Sequence, residues 1–253
     1  MDQPHESRPE NDIQERYTAC LLGGAIGDAL GAAVEFMSRA EILSRFGPEG
    51  ITDYAPAYGG KGKITDDTQM TLFTAEGLLR GRMRGVSKGI AGFDHTVANA
   101  YLRWLATQGH ECRAVTAEKD GWLFQQPELH SQRAPGMTCL SALRDYPGVP
   151  ETAGNDSKGC GGVMRVAPVG LYWRTFNGNS GLERVFEDGR MCAGLTHGHP
   201  SGYLTGGVLA VLIFELLKDK TLLDALAAAT TLLVAERGHE ETLAALDKAV
   251  ELS

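Results

Sequence analysis

The stretch "SGYLTGGVLAVLIFELLKD", Ser201–Asp219, decides the fold because it is apolar nearly all round. A helix with this pattern is buried on every side, whereas a half-exposed strand would alternate apolar and polar residues. The next segment repeats apolar side chains at spacings of three and four, at Leu222, Leu226, Ala229 and Leu233. No part of the chain shows a convincing period-two alternation. The sequence therefore predicts an all-α fold, a compact multi-helix domain.

Near the other end, "YTACLLGGAIGDALGAAVEF", residues 17–36, also predicts a helix. Its glycines at positions 24, 27 and 31 give it a face of very small residues. Each glycine disfavours a helix by roughly 0.8–1 kcal/mol relative to alanine. Several of them together indicate that another backbone or a ligand must come close to this face.

Between these helices the pattern alternates between loops and helices. Residues 47–63 are rich in glycine and proline and predict a long loop. A helix is predicted from about Asp66 to Arg80, and another over residues 92–107. Residues 125–162 are rich in proline, glycine and polar groups, which indicates a loop with short helices.

Composition sets the organisation and the classes of partner. With 253 residues the chain can form one large domain, which we expect over residues 13–253 after a disordered lead-in at 1–12. The net charge of −8 gives no support for binding nucleic acid or an anionic membrane surface. The five cysteines are widely spaced and odd in number, which favours a reducing, cytoplasmic location. The oligomeric state is not predicted.

The stretch "GKITDDTQM", Gly62–Met70, places two carboxylates side by side. Helix capping explains one of them, because Thr65 or Asp66 would suit an N-cap and acids suit the first turn. A divalent cation is the alternative, since hard cations prefer clustered carboxylate and hydroxyl oxygens.

Two more acids stand in "GDALGAAVE", where Asp28 and Glu35 are seven residues apart. In a continuous helix that spacing puts both on one face, about two turns apart. Such acids among small apolar residues need a metal, a cation or a hydrogen-bond network. The alternative is that the helix ends before Glu35 and that this side chain is solvated.

The stretch "NDSKGCGGVMR", Asn155–Arg165, clusters glycines beside a lysine. Such a loop can direct backbone N–H groups at an anion, with Lys158 adding positive charge, although it could also be a flexible turn. Further on, His197 and His199 form a His-x-His pair. A pair of this kind either binds zinc, packs in a core or touches a ligand.

Taken in order, "GGAIGDALGAAVEF", "GKITDDTQM", "NDSKGCGGVMRVAPVGL" and "THGHPSGYLTG" resemble the motifs of the ADP-ribosylglycohydrolase family, from about Tyr17 to the end. The resemblance implies an all-helical domain with two Mg²⁺ ions, or Mn²⁺ in their place. It implies cleavage of the glycosidic bond that joins ADP-ribose to a protein side chain or to another ADP-ribose. The expected partner is therefore an ADP-ribosylated protein or a small ADP-ribosyl substrate.

The same resemblance assigns roles to individual residues. The expected metal ligands are Thr65, Asp66 and Asp67. The expected catalytic residues are Glu35, Asp66 and Asp67, with Glu35 acting on water or on the ribose hydroxyls. The expected substrate-binding residues are Asp28, Ser157, Lys158, Gly159, Cys160, Gly161, Gly162 and His197, of which those from 157 to 162 would hold the phosphates.

Two departures from the family pattern bear on these expectations. Many members carry Asn where Cys160 stands, and most continue to a second acidic motif of the Asp-x-Asp-Thr type, which is not found after Glu215. The chain is therefore expected to be a fragment or a shortened member with a weakened metal site. A shortened member could be a non-catalytic ADP-ribose-binding module or an immunity-type interaction protein.

Overall fold

The computed structural model describes residues 10–89, 92–176 and 181–252. Within these ranges the chain forms ten α-helices, three short 3-10 helices and no β-strand, so the predicted all-α class is confirmed. The α-helices are, in chain order, α1 Glu10–Gly31, α2 Arg39–Phe46, α3 Asp66–Lys88, α4 Phe93–Thr107, α5 Met137–Arg144, α6 Ala167–Phe176, α7 Leu182–Gly194, α8 Pro200–Leu216, α9 Leu222–Leu233 and α10 Glu240–Glu251.

The helix α8 is the centre of the C-terminal half, as its apolar sequence predicts. No residue from 200 to 217 is exposed. Its backbone meets that of α7 directly, because a methyl group added at Gly189 would lie 2.5 Å from the carbonyl oxygen of Gly206. On another side, a methyl group at Gly170 of α6 would lie 2.6 Å from the carbonyl oxygen of Ala210. Small residues on three helices thus allow the close packing that buries α8.

The helices α3 and α4 form the second part of the core. Phe73 of α3 and Tyr101 and Trp104 of α4 are fully buried. The indole N–H of Trp104 donates to the side-chain oxygen of Gln69, at 3.1 Å, which satisfies both polar groups inside the core. This packing fixes the direction of α3 and therefore the position of its N-terminus.

The first predicted helix is shorter than expected, since α1 ends at Gly31 and residues 32–36 form turns. Tight bonds such as that from Val34 N–H to the Gly31 carbonyl, 2.9 Å, replace the helical pattern. A new helix then begins at the capping box formed by Ser38 and Glu41. The idea that Asp28 and Glu35 share one helical face is therefore wrong, and the alternative of an earlier helix end holds.

The glycine face of α1 is open in the part of the chain that the structure describes. A methyl group at Gly24, Gly27 or Gly31 would meet no atom within 4 Å outside the neighbouring helical backbone. The close approach predicted for this face is thus not made by any described residue.

The other predicted segments agree with the structure in type. Residues 47–65 contain no helix, and a single antiparallel bridge joins Ala57 to Gly60. The helix α3 begins at Asp66 as predicted but continues to Lys88, where Gly89 ends it in a left-handed conformation with φ 69°. Of the predicted lead-in, residues 1–9 lie outside the described residues. No helix in the described ranges has the length and apolar character needed to cross a bilayer.

Candidate functional site

The N-terminus of α3 collects the acidic side chains singled out in the sequence. Thr65 is the N-cap, and its hydroxyl accepts a hydrogen bond from Asp67 N–H at 3.3 Å. Asp66 N–H donates to the carbonyl oxygen of Arg133 at 3.1 Å. Both acids occupy the first turn, where the positive end of the helix dipole favours negative charge. Capping thus accounts for Thr65, while the two carboxylates keep free oxygens.

Asp28 reaches across from α1 to fix the start of α3. Its carboxylate accepts from the backbone N–H of Thr65 at 2.8 Å and from the hydroxyl of Thr65 at 2.6 Å. It also accepts from the N–H of Thr68 at 3.2 Å and from the hydroxyl of Thr68 at 2.5 Å. This carboxylate positions α3, and its contact with substrate stays a prediction.

Asp66 is the more deeply buried member of the pair, with 3% of its surface exposed. Burial raises its pKa to about 7, and the carboxylates of Asp67 and Glu35 add to the rise. A hydrogen bond from Gly136 N–H to Asp66 Oδ2, at 3.0 Å, opposes that rise in part. A hydrogen bond therefore holds the Asp66 carboxylate in place, while no positively charged side chain among the described residues pairs with it.

The pKa values of Asp67 and Glu35, near Asp66, are also raised by burial and by neighbouring acids. Burial, and then the carboxylates of Asp28 and Glu35, raise the pKa of Asp67 to about 6. The pKa of Glu35, on the turn after α1, is raised by partial burial and then by Asp28. The influence of these carboxylates on one another's pKa shows that Glu35, Asp66 and Asp67 lie near one another, in what is here called the acid cluster.

Tyr58 joins this acid cluster and has no counterpart in the sequence predictions. Its pKa is raised by partial burial and then by Glu35, Asp66 and Asp28. It lies in the glycine-rich loop with a φ of 48°, which is unusual for a bulky side chain. Nothing in the sequence separates Tyr58 from the other residues of that loop.

A divalent cation would suit the acid cluster in its chemistry. Among the described residues no salt bridge involves Asp28, Glu35, Asp66 or Asp67. Carboxylate and hydroxyl oxygens are the donors that Mg²⁺ prefers. The described residues nevertheless hold no group of three His, Cys, Asp or Glu side chains close enough to bind an ion. The donor types fit the cation, while a complete set of protein ligands is not assembled.

The second part of the site is the loop of residues 155–162, which hydrogen bonds hold firmly. The side-chain oxygen of Asn155 accepts from Ser157 N–H at 3.1 Å and from Gly198 N–H at 3.0 Å. Its amide group donates to the carbonyl oxygen of Thr196 at 2.9 Å. The hydroxyl of Ser157 accepts from Gly159 N–H at 3.3 Å. These bonds argue against a flexible turn.

Close packing requires glycine at positions 161 and 162, and none of the three glycines 159, 161 and 162 has a left-handed φ. A methyl group at Gly161 would lie 3.0 Å from Cε1 of His197. A methyl group at Gly162 would lie 2.5 Å from the carbonyl oxygen of Gly202 in α8. The loop therefore lies directly on the His197 ring and on the start of α8.

The sequence predicts that Lys158 adds positive charge to the loop, but in the structure this charge is already paired. Lys158 forms an ion pair with Glu241 of α10 at 2.8 Å, so a carboxylate already matches its charge. Cys160 is exposed, and its pKa is raised by partial burial and then by Asp67 and Asp66. The last effect places the loop beside the acid cluster, which joins the two parts of the site.

His197 is buried behind the loop, with 1% of its surface exposed. Burial, and then the positive charge of Arg165, lower its pKa to about 4. His199 instead caps α8, where its Nδ1 accepts from Ser201 N–H at 3.0 Å. The two histidines of the His-x-His pair thus have separate roles in the fold.

Comparisons with known proteins agree with this arrangement. The profile of the family described as "ADP-ribosylglycohydrolase" matches residues 9–253. The chain is 39% identical over 199 residues to the ADP-ribosyl-[dinitrogen reductase] glycohydrolase of Rhodospirillum rubrum, covering 74% of this chain and 53% of that protein.

Two further relatives are more distant. The ADP-ribosylarginine hydrolase Tri1 of Pseudomonas putida is 30% identical over 66% of this chain and 38% of its own length. The mouse ADP-ribosylhydrolase ARH3 is 26% identical over 79% of this chain and 48% of its own length. The chain thus spans about half the length, or less, of these relatives. No solved structure matches it significantly.

Proposed function

Because the chain belongs to the ADP-ribosylglycohydrolase family, we propose that it hydrolyses the glycosidic bond between ADP-ribose and a modified protein side chain or a small acceptor. The observation that carries the proposal is that the carboxylates of Asp66 and Asp67, which pair with no cation among the described residues, lie beside a glycine loop held by hydrogen bonds. The carboxylates attract cations, and the backbone amides of the loop attract anions. ADP-ribose with divalent metal offers both charges.

Two Mg²⁺ ions, or Mn²⁺ ions, are the proposed cofactor, held by Asp66, Asp67 and Thr65. Magnesium is commonly bound through one or two carboxylates and keeps several waters, so this set is compatible with it. Such ions would supply charge stabilisation and a more acidic water at the reacting carbon. A bound cation would offset the burial that, with the neighbouring acids, raises the pKa of Asp66 to about 7.

The glycine loop is the proposed site for the diphosphate. Among the hydrogen bonds of the described residues, none uses the backbone N–H of Gly161 or Gly162. Those two donors are available to phosphate oxygens, since the loop is already fixed by Asn155. Because Glu241 matches the charge of Lys158, backbone amides are expected to contribute more to phosphate binding than that lysine.

Glu35 is the proposed group that acts on water. It lies on an exposed turn beside the acid cluster, and its raised pKa moves it towards the range of a general base. A carboxylate in this place can orient water against the anomeric carbon as the bond to the acceptor breaks. The transition state would have oxocarbenium character, as in other glycosidic cleavages.

One observation favours a second candidate, a module that binds ADP-ribose without cleaving it. The described residues assemble no group of three metal-binding side chains. A site of this kind would retain the glycine loop and bind the diphosphate without metal.

The experiment that separates the two measures release of free ADP-ribose from ADP-ribosyl-arginine and ADP-ribosyl-serine peptides in Mg²⁺. Asp66→Ala should abolish release, whereas Asp247→Asn, an exposed change on α10, should not alter it. ADP-ribose binding that persists in EDTA, with no release from either peptide, would instead identify a binding module.

The location of the reaction is also part of the proposal. All five cysteines are free thiols. That state supports a reducing compartment such as the cytoplasm.

A further inference from the structure

Arg165 is a buried cation without a carboxylate partner. None of its surface is exposed, and within the described ranges it takes part in no salt bridge. Its guanidinium lies over the ring of Tyr101 at 4.3 Å, and Nη2 donates to the carbonyl oxygen of Cys192 at 2.8 Å. Nη1 lies 3.5 Å from the sulfur atom of Met70 and 3.4 Å from that of Cys139. A buried charge is costly, so this arrangement calls for a reason beyond packing.

The strongest contact of Arg165 leads towards the glycine loop. Nη2 donates to the hydroxyl oxygen of Thr196 at 2.6 Å. The same oxygen lies 2.9 Å from Nδ1 of His197. Arg165 has no acceptor to offer, so the Thr196 oxygen must accept this bond.

The hydroxyl proton of Thr196 then has two possible acceptors. The carbonyl oxygen of Ala193 is 3.5 Å away and already accepts from the backbone N–H groups of Thr196 and His197, each at 3.2 Å. Nδ1 of His197 is closer, at 2.9 Å. The geometry therefore favours donation from the hydroxyl to Nδ1, which leaves the ring proton on Nε2.

Nε2 faces the loop and lacks a protein partner. A methyl group added at Gly159 or at Gly161 would lie 3.4 Å from this atom. No hydrogen bond of the described residues uses Nε2 of His197, and this atom is not fully enclosed, so a solvent molecule or a ligand can reach it. An N–H donor that lies beside a glycine loop and that an outside molecule can reach is placed to donate to a ligand oxygen there.

We propose that Arg165 and Thr196 are positioning residues that hold His197 as the neutral tautomer with its proton on Nε2, ready to donate to an anionic oxygen at the glycine loop. The identity of that oxygen, a phosphate of ADP-ribose, rests on the proposed function. The low pKa of His197, about 4, agrees with a neutral ring. A neutral donor of fixed direction binds a phosphate without introducing a charge that would need its own partner.

The test uses Thr196→Val, which removes the hydroxyl while keeping the shape, and Thr196→Ser, which restores it. Long-range ¹H–¹⁵N NMR of the ligand-free protein reports the tautomer, and loss of one signal in His197→Gln assigns the ring among the seven histidines. Calorimetry with free ADP-ribose in Mg²⁺ reports binding.

The wild-type protein and Thr196→Ser should show a protonated Nε2, and Thr196→Val should lose this preference. The dissociation constant for ADP-ribose should rise roughly tenfold in Thr196→Val and stay near the wild-type value in Thr196→Ser. A wild-type ring protonated at Nδ1, or a tautomer unchanged in Thr196→Val, would overturn the proposal. If the tautomers are as expected but ADP-ribose does not bind, the positioning of His197 by Arg165 and Thr196 is supported and the proposed function is rejected.

Discussion

Replacing Asp66 by asparagine should stabilise the metal-free protein at alkaline pH. The substitution keeps the shape of a side chain that is 3% exposed, and the amide oxygen can still accept the hydrogen bond from Gly136 N–H. It removes a carboxylate that burial and the neighbouring acids disfavour. A gain in stability on loss of this carboxylate is what its proposed role in binding a ligand predicts, whereas loss of a structural residue would lower stability.

The magnitude follows from the pKa in the two states. The folded pKa of Asp66, about 7, lies above its ordinary value of 3.8, so the folded protein binds this proton more tightly than the unfolded chain. The carboxyl group therefore favours folding at low pH, and its contribution is lost as the pH rises to 7. The difference between the two pKa values corresponds to up to about 4 kcal/mol. The advantage of Asp66→Asn should be small below pH 4, grow between pH 4 and 7, and then level off.

Urea unfolding in EDTA at pH 4.5, 6 and 8 measures this advantage directly. Asp247→Asn is the matched control, because it removes an exposed carboxylate from α10 and should change little at any pH. A second series in Mg²⁺ should stabilise the wild-type protein at pH 8, since a ligand of the folded state adds stability according to its affinity. Asp66→Asn should gain less from the metal.

The reasoning would be refuted if Asp66→Asn were less stable than the wild-type protein at pH 8 in EDTA. It would also fail if the difference between the two proteins did not depend on pH. Either result would mean that the Asp66 carboxylate is compensated in the folded, metal-free state.

Three further perturbations test other parts of the structure. Gly162→Ala should lower the free energy of unfolding by about 1–3 kcal/mol, because its methyl group would meet the Gly202 carbonyl. Gly154→Ala, just before the loop, should change it little, because no atom lies within 4 Å of the added methyl group, and thermal unfolding compares the two variants. Asp28→Ala should lower the free energy of unfolding by about 1–3 kcal/mol, because hydroxyl and amide donors at the start of α3 lose their acceptor. It should also weaken stabilisation by Mg²⁺, and urea unfolding with and without the metal measures both effects. The pKa of His197 in the folded protein, about 4, lies below its ordinary value of 6.5. The free energy of unfolding should therefore fall by up to about 3 kcal/mol as the pH falls from 6.5 to 4. In urea unfolding, His197→Gln should show a correspondingly weaker dependence on pH.

Helices with a strong one-dimensional pattern could be predicted from the sequence. The apolar run in α8 leaves no polar face, and the start of α3 at Asp66 follows from the acids after a threonine. The end of α1 at Gly31 was missed, because small apolar residues continue past it. The capping box of Ser38 and Glu41 is the sequence signal that could have indicated a new helix there.

The acids of the site were predicted, but their partners were not. Thr68 and Gly136 bind the carboxylates of Asp28 and Asp66 from positions 40 and 70 residues away in the chain. Such contacts depend on how whole helices pack, which local patterns do not specify. The charge of Lys158 was also assigned without its partner, since Glu241 lies on a helix 83 residues further on.

The charges of the candidate site would make the binding of a metal ion and the binding of a diphosphate depend on each other. Asp28 and Lys158 already have protein partners, so the carboxylates of Asp66 and Asp67 and the loop amides are the groups left for a ligand. A diphosphate that enters alone approaches acids that repel it, and a metal ion that enters alone finds few protein ligands. Each ligand supplies what the other needs, because phosphate and ribose oxygens complete the coordination of the ion, and the ion neutralises the acids. If metal and ADP-ribose both bind as proposed, linkage requires that each raise the other's affinity by the same factor, whether or not the bond is subsequently cleaved.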